Sequence, residues 1–476
     1  MRNTKSIIKI GLLTTLLYSA CSMPYLERKA QNKTVPSSYS TTQDSINSAR
    51  IKWNKYFNDP YLAVLIDSAL IRNQELNIIL QEINISRNEI RARKGAYLPT
   101  VNVGVGGSVE KSGRYTSKGA NDANVDILPG KKMPDPLSDL SVGLKATWEV
   151  DIWKKLRNSK NAAIHKFLAS VDGKNFMVTH LIAEISNTYY ELMALDNQLD
   201  ILKSNIEIQQ NALEIVKLQK TAGKVTELAV SRFEAEVLKN QSRQYYIMQQ
   251  ITEAENRLNY LVGRYPQPIA RNSKQFIDLS TDSIHYGVPS DLLENRPDIR
   301  QAEQMILAAK LDLKAAKAEF YPSLKINSGL GLQGFNPKYL VQSPESMIYS
   351  LAGELVAPLV NRNAIKANYL NANAKQIQAI YNFERTVLGA YVEVANQLSN
   401  IGNLKSSYDL KAKQIDALTR SIDISLILFK SARADYMEVL LTQRDALESK
   451  FELIEIKKQQ MNARVNVYKA LGGGWQ

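Results

Sequence analysis

The chain has 476 residues, 60 Lys and Arg against 47 Asp and Glu, a formal net charge of +13 and a single cysteine. A basic excess invites a nucleic-acid reading, but the cations are spread among Glu and Asp with no Gly-rich or aromatic-basic motif, so they read as solvated helix faces. One cysteine excludes an internal disulfide, and no stretch approaches the ~18 continuous apolar residues of a membrane helix; a membrane crossing would need strands closed into a barrel.

In chain order, residues 1–20 have the form of an export signal: Arg2, Lys5 and Lys9, then a short apolar run from Ile10 to Leu17, then small residues. Without those three cations the net charge is +10. Cys21 follows directly and reads as the lipid-attachment residue of a bacterial lipoprotein, although Tyr18 stands where an aliphatic residue is usual. The alternative is ordinary cleavage that leaves Cys21 unmodified. Residues 21–60, rich in Ser, Thr, Gln and Pro, read as an anchored N-terminal tether and equatorial segment.

The rest comes in two copies, 61–265 and 293–476, joined by an equatorial segment at 266–292. Arg91 to Gly104 returns as Lys314 to Asn327, and Gly223 to Val230 returns as Ala432 to Val439. The first copy opens with one predicted helix, Tyr61 to Ala96, stopped by Pro99. Two alternating strands follow, about 100–109 and 139–151, separated by a polar loop from Glu110 to Asp139. Val101, Val103 and Val105 make one apolar file; Leu140, Val142, Leu144, Ala146, Trp148 and Val150 make another. The second copy opens with a predicted helix from Leu293 to Phe320, then strands at about 323–333 and 347–357. Period-two alternation fits an outer-membrane barrel strand and equally a half-buried sandwich strand. Four strands are too few for a barrel, so either the barrel reading fails or several chains share one.

A long helix follows each strand pair. Leu192, Leu195, Leu199, Leu202 and Ile206 step by three and four, and Ile401, Tyr408, Ile415 and Ile422 fall seven apart, which is helix-against-helix patterning. The run from Lys155 to Thr221 is ~100 Å long at ~1.5 Å per residue. It turns near Gly223, as its counterpart turns near Ala432. Gly accepts the left-handed conformation that ends a helix and Ala resists it, so the second tip is expected to turn differently or to continue more helically into Asp435.

These residues resemble the outer-membrane factors of tripartite efflux systems, the TolC-like proteins, and within them the lipoprotein branch serving resistance-nodulation-division pumps. The resemblance runs from Trp53 onward. It is most specific at Val288-Pro-Ser-Asp-Leu-Leu-Glu-Asn-Arg296-Pro297-Asp298-Ile-Arg300 and at Val467-Tyr468 to Gly472-Gly-Gly-Trp475. It implies an α+β membrane protein: a trimeric 12-stranded β-barrel, four strands per chain, continued by a long periplasmic α-helical coiled-coil barrel. It also implies a homotrimer in the outer membrane that works with a periplasmic adaptor and an inner-membrane pump. Ala229, where the family commonly carries Asp, and Ala432, where it commonly carries Gly, depart from the pattern.

Gly223, Val225, Thr226 and Leu228 at the first tip, with Ala432, Tyr436 and Met437 at the second, offer small and apolar surface for adaptor docking; turn and cap chemistry explains the same residues. Asp435, repeated around a trimer axis with Arg433 beside it, would form a carboxylate ring at a pore constriction; it serves equally as a helix cap. Nothing reads as catalytic, metal-binding or cofactor-binding: His165, His180 and His285 lie far apart, and no phosphate loop or Ser-His-Asp order appears. The expected function is a passive exit duct in drug efflux or related transport. The rivals are the outer-membrane component of a type I secretion system, a lipid-anchored periplasmic adaptor, and a soluble coiled-coil scaffold.

Overall fold

A computed structural model describes residues 23–39, 47–279, 285–431 and 433–475. Cys21 and Ala432 lie outside them. Contacts divide the chain into two compact units, one holding 84–167 and 304–380 with the N-terminal segment through Ala30, the other holding the remainder.

The helices before the first strand are α1 (Trp53–Phe57), α2 (Pro60–Arg72) and α3 (Gln74–Ala96). The single helix expected from Tyr61 to Ala96 is therefore broken at Asn73. Buried Asn73 takes an extended conformation, accepts at 2.9 Å from the Leu76 N–H through its side-chain oxygen, and donates at 2.8 Å to the Leu261 carbonyl. Its side chain caps α3 while tying the break to the end of a distant helix. At α2 the Asp59 carboxylate caps the Tyr61 and Leu62 N–H groups, and Pro60 sits at the first turn, where it loses nothing.

The strands then appear as β1 (Thr100–Glu110) and, after α4 (Ser117–Asp122) and the small hairpin β2 (Asp126–Leu128) and β3 (Lys131–Lys132), β4 (Leu137–Val150). The predicted polar loop is thus partly structured. Thr116 caps α4 by accepting from the Gly119 N–H at 3.1 Å, and Gly130, at φ +76°, turns the hairpin.

The first hairpin of long helices is α5 (Lys155–Thr221) and α6 (Glu227–Val262). After it come α7 (Asp291–Asn295), α8 (Pro297–Ala318), β5 (Ser323–Gly334), α9 (Pro337–Leu340), β6 (Met347–Val356), α10 (Asn363–Lys430) and α11 (Tyr436–Ala470). The single helix expected from Leu293 to Phe320 is instead broken at Arg296, between α7 and α8. A proline disfavours helical geometry at the residue before it, and Arg296 is accordingly extended (φ −82°, ψ 118°).

The four long strands form one antiparallel sheet in the order β1-β4-β5-β6. Its register keeps the two predicted files apart across every strand. Val103 faces Leu144, Leu144 faces Leu330 and Leu330 faces Tyr349 on one side. On the other, Gly104, Gly143, Gly331 and Ile348 stand in line, and so do Asn102, Lys145, Gly329 and Ser350. A slip of one residue in any strand would mix the files.

The larger unit has its core around fully buried Leu62, Ile66, Ile185, Tyr189, Leu192 and Leu202. Leu192, Leu195, Leu202, Ile206, Leu213 and Val216 of the predicted seam are all buried. The matching seam on α10 is not: Ile401, Tyr408, Ile415 and Ile422 are half-buried in the single chain. In the strand-bearing unit, Met23 and Leu26 of the N-terminal segment pack on Ala316, Phe320 and Tyr369.

Candidate functional site: hairpin tips and strand faces

Each tip is built by the same backbone bonds, 209 residues apart. At the first, the Lys224 N–H reaches back to the Gln219 carbonyl at 2.9 Å, and the Ala229 N–H donates to the Thr226 carbonyl at 3.1 Å. At the second, Arg433 donates to Leu428 at 2.8 Å and Glu438 to Asp435 at 3.1 Å. The long backward bond is the one that closes a Schellman-type helix end. Gly223 takes φ +70°, as a glycine at this position should. The second hairpin makes the equivalent long bond from Arg433, while Ala432, the residue on which the expected difference in turn was placed, lies outside the described residues.

The tips differ in side chains. Lys220 pairs with Glu227 at the first, where the second has Phe429 and Tyr436. Thr226 and Asp435 sit at the N-cap positions of α6 and α11 in extended conformation, yet neither side chain makes a capping hydrogen bond. Asp435 and Arg433 are both exposed and form no ion pair with one another within one chain.

The six described residues among the seven docking candidates are not one surface. Leu228 is 57% exposed, and Gly223 and Thr226 are exposed beside it. Val225 and Tyr436 instead pack on the tip core of Leu213, Val216, Ala229, Val230, Phe233 and Val237. Ala229, the departure from the family pattern, is fully buried in that core. Met437 is half-buried, its sulfur 3.1 Å from a guanidinium nitrogen of Arg232. The two hairpin tips of one chain therefore touch, which residue type and spacing alone did not indicate.

The polar face of the sheet is the second candidate surface. A Cβ on Gly143 would meet the Leu330 carbonyl oxygen at 2.7 Å and the Gly331 Cα at 2.8 Å; one on Gly331 would meet the Val142 oxygen at 2.5 Å. No side chain fits at either position, so β4 and β5 approach closely there and leave the face open. Lys145 is exposed amid these glycines with no ion-pair partner among the described residues. Nearer the helices, Glu149 pairs with Lys155 and lies opposite Lys325, which lies opposite Glu354.

A third cluster, missed as a site in the sequence although its motif was quoted, centres on Arg296. Nearly buried, it donates to Asp298 at 2.7 and 3.0 Å, to Glu393 at 2.8 Å and to the Ala470 carbonyl at 2.7 Å. Trp475 donates its indole N–H to the Asn295 carbonyl at 3.1 Å. The inter-repeat motif and the C-terminal motif thus meet in space and lock one another. The three histidines are separate: His165 Nδ1 lies 2.7 Å from Gln304 Oε1, the His180 ring packs 4.3 Å from Phe176, and the His285 backbone N–H donates to the Ser48 hydroxyl.

An amphipathic antiparallel sheet joined to two helical hairpins of ~100 Å defines the fold class of the outer-membrane exit channels. The chain belongs to the outer membrane efflux protein family, whose model matches residues 65–264 and again 288–473. It is similar to the pyoverdine export outer membrane protein OpmQ of Pseudomonas aeruginosa, with 26% identity over 425 residues covering 89% of this chain and 88% of that one. It is also similar to the cation efflux system protein CusC of Escherichia coli, with 24% identity over 470 residues and 97% of each chain. The solved outer-membrane channel OprN superposes with a TM-score of 0.84 at 21% identity, over 95% of this chain and 99% of that one, a likeness that fixes the fold. This protein is an outer-membrane efflux channel, the exit component of a tripartite pump.

Proposed function

We propose that three copies of this chain close a 12-stranded barrel, each contributing its four-stranded sheet, and that the helices continue it as a periplasmic tunnel. The observation that carries this reading is the register. Four strands keep one mainly apolar face and one mainly polar, glycine-rich face in register, while β1 and β6 are left as free edges. Open edges cannot remain in a bilayer, where every backbone group must be paired, so each edge requires the edge of another copy. The number three comes from the family resemblance. The apolar file of Val103, Leu144, Leu330 and Leu351 then faces lipid, and Lys145 with the glycine row faces the lumen.

In this reading the two family-model matches correspond to repeats at 61–265 and 293–476, flanking the equatorial segment 266–292. A signal peptide at 1–20 is removed and Cys21 carries the lipid anchor of the 21–60 tether. Leu228, Gly223 and Thr226 supply the exposed part of the adaptor-docking tips, and Asp435 repeats around the tunnel mouth. The chain has no nucleotide-binding signature, so the energy comes from the inner-membrane pump, of the resistance-nodulation-division class. The named relatives carry different cargoes, pyoverdine and cations, and the duct's own cargo is set by the pump it serves.

Planar-bilayer recording tests the duct directly. Purified protein should give discrete conductance steps, and a chain that leaves the bilayer silent is not a channel. Labelled palmitate should appear on the wild type and vanish in Cys21→Ser; no label on the wild type would make Cys21 incidental.

A further inference from the structure

The helices of the strand-bearing unit carry almost all of the chain's net charge. Stretches 84–99, 151–167, 304–322 and 357–380 hold fifteen Lys and Arg against four Asp and Glu, which is +11 of the formal +13. Residues 100–150 and 323–356, the strands with their connections, hold eight charges of each sign. The basic excess is therefore placed just where the helices meet the sheet.

It is also ordered. Arg87, Arg91 and Lys94 on α3 fall at i, i+4 and i+7, one face of a helix. Lys310, Lys314 and Lys317 repeat that spacing on α8, 223 residues later. All six are exposed, and none has an ion-pair partner among the described residues. Like charges at i, i+4 repel, so two such stripes cost stability unless something anionic lies against them.

What lies against them is indicated by their neighbours. Three residues beyond the first stripe, Tyr97 begins an aromatic group. Trp148 donates to its carbonyl at 3.2 Å; Trp153 stacks on Tyr321 at 4.6 Å and donates to the Pro322 carbonyl at 2.9 Å. Trp and Tyr with one apolar side and one hydrogen-bonding tip mark the headgroup level of a bilayer. Each stripe extends from there over about 10 Å of helix. Beside the second stripe lies a concavity of about 530 Å³, lined by Arg28, Lys310 and Lys314 against the single acid Glu27, and by the apolar Leu313 and Ile380. A cationic rim over an apolar floor fits an amphiphile bearing a phosphate. A nucleic-acid backbone has nothing to place on the floor.

We infer that the two basic stripes and this concavity seat anionic phospholipid headgroups of the leaflet that meets the helices. The inference rests on the sheet spanning the membrane.

The test uses the full-length protein and vesicles of phosphatidylcholine with or without phosphatidylglycerol, read by native mass spectrometry of retained lipid and by Tm. The wild type should retain phosphatidylglycerol preferentially and melt higher in its presence, and both effects should weaken in high salt. Lys310→Gln with Lys314→Gln and Lys317→Gln should lower phosphatidylglycerol retention by roughly tenfold or more, given the attraction of each basic residue to an anionic surface. Arg at the same three positions should restore it. Equal retention of the two lipids by the wild type overturns the inference without any variant. So does a Gln variant that holds phosphatidylglycerol as the wild type does, or a wild type that binds a DNA duplex and shows no lipid preference. Conductance steps in phosphatidylcholine bilayers separate the two readings. A conducting protein indifferent to phosphatidylglycerol loses the lipid site and keeps the duct; a protein that never conducts loses the transmembrane sheet and the lipid site with it.

Discussion

Arg232 on α6 and Met437 on α11 meet across the two hairpins, a guanidinium nitrogen 3.1 Å from the sulfur. With Tyr436 packed on the core of the first tip, this contact divides the tip residues. Some hold the two hairpins of one chain together, and some are free to meet a partner.

Leu228 is on the free side and Met437 on the held side. Leu228→Asp should abolish drug or dye efflux while leaving protein level and oligomer unchanged, because it places charge on exposed apolar surface without opening a core. Met437→Asp should lose efflux too, but with lower Tm, since a carboxylate beside Arg232 rearranges the contact between hairpins. Normal efflux by Leu228→Asp at wild-type protein level would remove docking from this residue.

The Asp435 side chain makes no hydrogen bond to the helix it precedes. Asp435→Ala should therefore leave stability within about 0.5 kcal/mol, as for surface substitutions generally. Single-channel conductance should rise as three facing carboxylates disappear from the narrow end. Unchanged conductance with reduced stability would return the residue to a capping role.

Leu144 and Lys145 are adjacent in β4 and belong to opposite files. Leu144→Arg should cost ~2–4 kcal/mol near the membrane midplane, read as lost barrel assembly or a lower unfolding midpoint. Lys145→Glu should fold normally and shift the reversal potential toward cation selectivity. Gly331→Val should behave like Leu144→Arg, because its Cβ would meet the Val142 oxygen and Gly143 Cα. Equal damage at 144 and 145 would mean that the inside-outside assignment is wrong.

Arg296 is buried with two carboxylates and the Ala470 carbonyl. Arg296→Met leaves Asp298 and Glu393 without their shared cation and should cost ~3–5 kcal/mol. Proteolysis of the C-terminal residues is the convenient readout, since Ala470 and the Trp475–Asn295 contact depend on the same cluster. Wild-type protease resistance would show that the surrounding core suffices without it.

Burial, and then the charge of Lys469, hold the His180 imidazole below the ordinary histidine range. The unfolded chain therefore binds the proton at a pH where the folded chain does not, and stability rises with pH through that interval. His180 should contribute its full stability at neutral pH and lose it as pH falls below ~6.5. The Tm difference between wild type and His180→Gln should shrink on acidification from neutral pH; a difference independent of pH would mean that the imidazole does not titrate on folding.

Much of the fold was legible because local rules and burial agreed. Alternation with period two placed all four strands within a few residues, since a one-sided apolar file tolerates no slip. Gly223 marked a helix end, and it takes positive φ. The breaks at Asn73 and Arg296 were read through as continuous helix. Arg296 could have been found from the proline after it. Asn73 could not, because the Leu261 carbonyl it binds is 188 residues away.

The sequence by itself determined the four long strands, the long helices, the turn at Gly223 and which file of each long strand is apolar; these follow from periodicity and from proline and glycine sterics, which act over a few residues. Only the tertiary structure decided that Tyr436 packs on the core of the first tip, that Arg296 receives the C-terminal motif, and that Lys145 stands among glycines without an ion-pair partner among the described residues. Each depends on which distant backbone lies alongside, and a packing distance between residues hundreds apart leaves no local trace in either chain segment.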